Sequence, residues 1–553
     1  MSMWYYALVV AIFMLTDCAT GEPNSGLHHR FTKGRTDFFP FFVAHSQANR
    51  PLKRLTHPST LSIEILPRTR TSHLESRHLD SKTNVLQHSD SFRLVLTAFD
   101  EKFYLHLRPN DHLIHPAARI TYISPDGQKQ SEPLLRETVK AYLGEVIHES
   151  HTTSRMREDT AGVTYYSSSE GELGWARILV WHQGDDTVSG GSPVFEGAFS
   201  ARGDIYHIMT KDNYLKSKGE LDVALGVNNG GVSELDENLV IWRDSDLMNA
   251  EEEALAKGLD VKVKPQTCGH DRLDWNKNLD WKQSPQSDGE WLDVDAFDPS
   301  FGLGTLGNSS FVKRQGDVQG DGMSTNFANS IGNKDGCPTT QKILFMGVAA
   351  DCEYVSKYGS KESATQKILN DWNMASSLYK STFNVSLGIV ELQVQSPQCP
   401  GQADPKLPWN INCASATLDA RLSIFSQWRG DKGNDGIGLW HLMSGCPTGS
   451  EVGIAWLATL CQQSASGRPG SVVSGTGVST GGLTEWQVIA HEIGHNFGAI
   501  HDCTDGCEAN GASNCCPLQS VSQCNANAKF IMSPVAQAGE QNFSACSVGN
   551  VCE

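Results

Sequence analysis

Apolar and polar positions alternate most clearly near residue 100. Phe92, Leu94 and Leu96 form one set and Phe103, Leu105 and Leu107 another, on either side of Ala98–Lys102. A period of two marks strands with one buried face, so residues 91–108 are read as two strands. Similar alternation recurs in Trp175–Trp181 and Val194–Ile208, so residues 90 to 245 predict a mostly β unit. From Lys342 the pattern changes to alternating strands and helices. Ile343–Ala350 predicts a strand, and Lys361–Phe383 a helix with Ile368, Trp372, Ala375 and Tyr379 on one face. Val385–Val394 predicts a strand, Ala416–Trp428 a helix, and Ile437–Met443 and Val452–Leu460 two more strands. Thr484-Glu485-Trp486-Gln487 reads as a capping box opening a further helix. Residues 271–340, rich in Gly, Asn, Asp and Ser, read as linker. Gly475-Thr476-Gly477 and Gly481-Gly482 read as flexible loop. The apolar run Trp4–Leu15 is too short to span a membrane and fits the core of a signal peptide.

Length and composition narrow the class. A chain of 553 residues accommodates two or more domains, and a net charge of −18 argues against nucleic acid as a partner. Only Cys18 and Cys268 precede Cys337, whereas thirteen of the fifteen cysteines crowd the C-terminal part. They are Cys337, Cys352, Cys399, Cys413, Cys446, Cys461, Cys503, Cys507, Cys515, Cys516, Cys524, Cys546 and Cys552. Such crowding implies a disulfide framework formed in an oxidising compartment, hence the secretory pathway. Thirteen is odd, so at least one lacks an internal partner; a four-cysteine zinc site is the alternative for the cluster after residue 502. Adjacent Cys515 and Cys516 are expected to have different partners. Sequons at Asn308, Asn384 and Asn542 agree with secretion and are candidate glycosylation sites.

The chemistry concentrates in His491-Glu492-Ile493-Gly494-His495-Asn496-Phe497-Gly498-Ala499-Ile500-His501-Asp502. On a helix, His491 and His495 lie one turn apart on the same face, as two corners of a zinc tetrahedron require. Gly498 allows the chain to turn and return His501 as the third ligand. Glu492 is then placed to hold a water beside the metal rather than to bind the metal. Two surface histidines on an amphipathic helix are the plainer account, but Gly498 and His501 at their spacing count against it.

This extended H-E-x-x-H-x-x-G-x-x-H pattern resembles the metzincin zinc peptidases. Asp502 after the third histidine resembles the adamalysin/reprolysin branch, which includes the ADAM proteins. Phe530-Ile531-Met532-Ser533-Pro534 resembles the family's Met-turn, with Met532 beneath the metal. The cysteine spacing leading into Phe530 is most similar to fungal ADAM proteins. The resemblance implies an α/β architecture: a mostly β prodomain, then a catalytic domain with a mixed five-stranded sheet, zinc helix and Met-turn. It implies a signal peptide at 1–20, a prodomain at 21–270, a linker at 271–340 and a catalytic domain at 341–553. In that family the strand matching Val452–Leu460 lies at the sheet edge and pairs with extended substrate.

Pro265-Gln266-Thr267-Cys268-Gly269 resembles a cysteine switch, whose thiolate takes the open position on zinc. Lys313-Arg314 then reads as a kexin- or furin-type processing site. Relatives hold a structural calcium through a glutamate on the first catalytic strand; the matching position here is Phe345, which puts calcium in doubt. The chain is expected to stop short of the family's full length, with no membrane span of its own. The reading is a secreted zymogen of a zinc endopeptidase with one catalytic zinc, acting on extracellular or cell-surface proteins. A cell-surface adhesion or regulatory module with a vestigial metal site is the alternative.

Overall fold

The computed structural model describes residues 50–68, 85–163, 171–183, 193–225, 238–256, 258, 273–277, 330–448, 451–503, 515–520, 523–527, 529–534 and 542–552. The apolar run Trp4–Leu15, Cys268, Asn308, Lys313, Arg314 and Cys507 lie outside these residues. No helix among the described residues is long and apolar enough to cross a membrane.

The first half contributes ten strands. They are β1 (Ser59–Ile65), β2 (Phe92–Ala98), β3 (Glu101–Pro109), β4 (Ile114–Ile123), β5 (Lys129–Pro133), β6 (Ala141–Ile147), β7 (Glu172–His182), β8 (Val194–Ala201), β9 (Asp204–Thr210) and β10 (Leu239–Arg243). Eight of them form one antiparallel sheet in the order β1-β2-β3-β6-β7-β8-β9-β10. The alternating leucines and phenylalanines of β2 and β3 enter one core with Ile178 and Phe199. Phe99 and Asp100, at φ 54° and 63°, form the two-residue turn between these strands. Arg202 and Gly203, at φ 53° and 84°, do the same between β8 and β9, so the run Val194–Ile208 is a hairpin.

The second half contributes β11 (Lys342–Ala350), β12 (Val385–Gln395), β13 (Trp440–Ser444), β14 (Gly453–Ala455), a small hairpin of β15 (Ser466–Arg468) and β16 (Ser471–Val473), and β17 (Thr476–Thr480). The expected five-stranded mixed sheet is present as β14-β17-β13-β11-β12, with β14 antiparallel to its neighbour and the rest parallel. It does not end at β12. The hairpin β4–β5 from the first half continues it, β4 lying parallel to β12 from Glu391↔Arg119 to Gln395↔Ile123.

Three local expectations are corrected. Gly475-Thr476-Gly477 is read from the sequence as loop, but Thr476 and Gly477 open a fully buried strand, Thr476–Thr480. It is built from small residues because a Cβ on Gly477 would stand 3.1 Å from His441 Nδ1 and 3.2 Å from Asn496 Oδ1. The strand read at Val452–Leu460 stops at Ala455, and Ala458 and Cys461 beyond it take positive φ of 46° and 65°. Thr484 precedes the helix Glu485–Phe497 without a side-chain cap. Gln487 does not close a capping box; its amide reaches Asp244 of the first half at 3.4 Å.

The helix Lys361–Phe383 lies between the two sheets, and from Lys367 to Tyr379 it is buried on all sides, not only on its apolar stripe. Its polar residues therefore need partners inside the protein. Asn373 accepts from Asn110 at 2.8 Å and donates to the carbonyls of Tyr142 and Ile178. Lys367 binds Asp371 at 2.6 Å and Glu485 at 3.4 Å. Glu485 also accepts from the hydroxyls of Tyr354 and Tyr358, at 2.5 and 2.6 Å. Burial opposes charge on Glu485, but Lys367 and the two tyrosines outweigh it and hold its carboxyl below the usual range.

Disulfides brace the second half. Cys337 pairs with Cys552, Cys352 with Cys399, Cys413 with Cys446, Cys503 with Cys524, and Cys516 with Cys546. Cys515 is also disulfide-bonded, separately from Cys516. Cys461, one of the disulfide candidates, is free. It occupies a left-handed turn whose N–H donates to Gly438 O at 2.8 Å, and burial pushes its thiol pKa up.

Replacing Lys367 with methionine leaves two carboxylates buried without their cation. The expected loss is about 3–5 kcal/mol of unfolding free energy. Urea unfolding of the purified chain checks this; a loss below about 1 kcal/mol would show that solvent reaches the network.

Candidate metal centre

The helix Glu485–Phe497 carries His491 and His495 on one face, both fully buried. It ends at Gly498, whose φ of 109° is left-handed. The N–H groups of Gly498 and Ala499 bond back to the carbonyls of His495 and Gly494, closing the helix and reversing the chain. His501 returns on a short strand to face the other two histidines. The Nε2 atoms of His491 and His495 are 3.0 Å apart, and those of His491 and His501 are 3.3 Å apart. A tetrahedral ion with bonds of about 2.0–2.1 Å holds its nitrogens roughly 3.3 Å apart.

Backbone carbonyls set the ring orientations. Nδ1 of His491 lies 2.6 Å from Ile531 O and Nδ1 of His495 lies 2.8 Å from Ala499 O. A carbonyl can only accept, so each Nδ1 carries the proton and each Nε2 presents its lone pair. Met532 is fully buried beside these rings, and its carbonyl accepts from Asp502 N at 2.9 Å. Gly494 makes room for it, since a Cβ there would lie 2.5 Å from Met532 Sδ.

Glu492 is almost completely buried, and its Oε2 has no hydrogen-bond partner among the described residues. Burial raises its pKa well above the ordinary value, and the charge of Glu451 adds to the rise. A buried carboxyl with a spare oxygen beside three lone pairs suits a site that takes a cation and a water. The donor set therefore fits zinc.

Several further residues shape the site. Gly453 on β14 has no side chain where Glu492 lies; a Cβ there would be 2.2 Å from Glu492 Oε1. Asn496 Nδ2 donates to Trp456 O, Thr459 Oγ1 and Thr476 O at 2.9–3.1 Å, tying the helix to the sheet edge. Tyr379 donates to Ala490 O at 2.6 Å, tying it to the long helix. Asp502 accepts from Ser544 at 2.5 Å and Ser547 at 3.4 Å, joining the histidine loop to the C-terminal helix Ala545–Cys552. Burial lifts its carboxyl to about 7 against these bonds. Of these, Asp502 is already marked in the sequence as the residue that resembles the adamalysin/reprolysin branch, and Asn496 lies within the histidine pattern, whereas Gly453 and Tyr379 give no such signal.

Asn384 is half-buried at the C-terminus of the long helix and Asn542 is exposed. Phe345 packs its ring edge-on against His115 of the first half. Among the described residues, the candidate cysteines other than Cys461 lie in the disulfides already described.

Comparison with known proteins agrees with this geometry. Residues 339–544 match Metallo-peptidase family M12 of the reprolysin type, and residues 54–147 match the reprolysin family propeptide. Disintegrin and metalloproteinase domain-containing protein B of Aspergillus fumigatus is 34% identical over 494 residues, covering 87% of this chain and 58% of the relative. The protein of the same name from Arthroderma benhamiae is 30% identical over 465 residues, covering 81% of this chain and 53% of the relative. Zinc metalloprotease mde10 of Schizosaccharomyces pombe is 30% identical over 230 residues, 37% of this chain and 44% of the relative. The chain thus spans a little over half the length of the first two.

Gly494→Ala tests the contact with Met532. Alanine favours a helix over glycine by about 1 kcal/mol, but the crowding at Sδ is expected to outweigh this, with a net loss of about 1–2 kcal/mol. Thermal unfolding and zinc titration together check it. An unchanged or raised melting temperature would show that Met532 gives way freely.

Proposed function

The chain belongs to the reprolysin family of M12 metallopeptidases, and from that premise we propose that it is the secreted zymogen of a zinc endopeptidase acting on extracellular or cell-surface proteins. The observation that carries the reading is the convergence of three histidine Nε2 atoms on one point, next to a buried carboxyl with a free oxygen. His491, His495 and His501 would hold one zinc ion. When bound, zinc supplies Lewis acidity, polarising a peptide carbonyl and making water a better nucleophile at neutral pH. Glu492 orients the attacking water, accepts its proton and delivers that proton to the departing amine. Substrate would lie along β14, whose outer edge no strand pairs among the described residues.

Cys268 is proposed to supply the thiolate that keeps the precursor latent, and Arg314 the site at which a kexin- or furin-type protease releases it. Cysteine-rich composition and the propeptide match support passage through the secretory pathway. Against the alternative of an adhesion module with a vestigial site stands Glu492 itself, since a non-catalytic site has no use for that carboxyl.

Kexin-treated protein is expected to cleave a quenched peptide library. Glu492→Ala should retain about one zinc per chain and lose roughly 10²–10⁴-fold in kcat/KM. His495→Ala should lose the metal itself, read by metal analysis. Near-parental cleavage by Glu492→Ala, or full zinc occupancy in His495→Ala, would overturn the assignment.

A further inference from the structure

Within the stretch read as solvated linker, residues Asp274–Lys277 form one helical turn that packs on the second half. Leu273 and Trp275 lie against the apolar cluster containing Ile454 and Trp456. Asn276 is only 2% exposed. Its Nδ2 donates to Ala455 O at 3.1 Å and its Oδ1 accepts from Leu457 N at 2.9 Å. Trp275 Nε1 donates to Leu457 O at 3.1 Å.

These three backbone atoms form a set. Along an extended chain, the N–H and C=O of one residue point to the same side, and the next residue's to the other. The inward groups here belong to Val452 and Trp456, which bond to Thr480 and Thr476 of β17. Ala455 O, Leu457 N and Leu457 O face outward, where an added strand would find them. The carboxamide of Asn276 is chemically a peptide unit, with one carbonyl and N–H donors, and it makes the two-point contact such a strand would make. The next residue, Ala458, donates its N–H to His495 O at 2.8 Å, so the covered edge adjoins the histidine helix directly.

We infer that Trp275 and Asn276 form a second lock on the precursor, independent of any thiol, that occupies the backbone groups on which a substrate strand would pair. The inference rests on the proposed peptidase reading for its meaning. Cys268 lies eight positions earlier, so the two locks are adjacent in sequence but chemically separate. One blocks through sulfur, the other through hydrogen bonds and a half-buried indole.

The test compares uncleaved precursors on one fluorogenic peptide: parent, Cys268→Ser, Trp275→Ala/Asn276→Ala, and the triple variant. Cys268→Ser alone is expected to stay largely latent, and the triple variant to exceed it by about tenfold or more, which corresponds to ~1.4 kcal/mol of lost closure. Cleavage after Arg314 and removal of the propeptide yields the same enzyme from every variant, so equal activity at that stage shows that all of them folded. A second readout needs no turnover. In hydrogen exchange, the Leu457 amide should be protected in the parent precursor and exchange at least about tenfold faster in Asn276→Ala, while amides of β11 stay unchanged. A synthetic peptide of residues 270–280, which contains no cysteine, should inhibit the processed enzyme, and its Trp275→Ala/Asn276→Ala form should not. Full activation by Cys268→Ser alone, or a Leu457 amide indifferent to Asn276, would overturn the second lock. If the processed parent itself cleaves nothing, the peptidase reading fails, and the exchange result still decides whether the segment closes the edge.

Discussion

The stretch Lys367–Tyr379 of the long helix is buried on every side, so each of its polar groups must find a partner within the protein, and it does so by drawing on both halves of the chain. Burial lowers the pKa of Lys367, but Asp371 and Glu485 face it and more than offset this, so that it lies above its ordinary value. Glu485 is the first residue of the histidine helix, so the same charge network fixes that helix against the long one. Asn373 faces the opposite way, to carbonyls of the propeptide sheet. Tyr379 bonds Ala490, one residue before the first histidine. The eight-stranded sheet, the seven-stranded sheet and the metal centre are thereby referred to one element.

The metal centre itself depends on small residues and on carbonyls. Imidazole rings turn freely unless their second nitrogen is held, and here Ile531 O and Ala499 O hold two of them. The Ile531 carbonyl is available because the turn at Met532 lies close under the helix, and it lies close because position 494 has no side chain. Gly453 performs the same service on the opposite side, letting the Glu492 carboxyl lie against the sheet edge. Adding a methyl group at either glycine acts on a ligand or on the carboxyl without altering any residue of the zinc motif.

The first half of the chain touches the second in two unlike ways. Its β4–β5 hairpin lengthens the sheet beyond β12, the edge remote from the histidines. Its Trp275 and Asn276 cover the opposite edge, beside them. A strand edge presents unpaired N–H and C=O groups that attract another chain. In this structure both edges are met by residues of the same polypeptide.

The chemistry was legible in the order of residues because metal ligation on a helix depends on spacing. His491 and His495 one turn apart, Gly498 at the stop and His501 beyond it are local relations, and local geometry brings them together. The alternating strands Phe92–Ala98 and Glu101–Pro109, and the helix Lys361–Phe383, were legible for the same reason, being periodic and long. Thr476–Thr480 was not, because a strand buried among His441 and Asn496 is selected for smallness, and smallness in a sequence reads as loop. Cys461 could be counted as surplus only after the other sulfurs had found partners in space. Asn276, Gly453 and Glu485 carry no pattern at all; what each does depends on a neighbour more than 30 positions away. Sequence by itself determined the residues that can bind a metal. Tertiary structure alone decided what surrounds and covers them, because burial and edge pairing are relations between segments that no local period records.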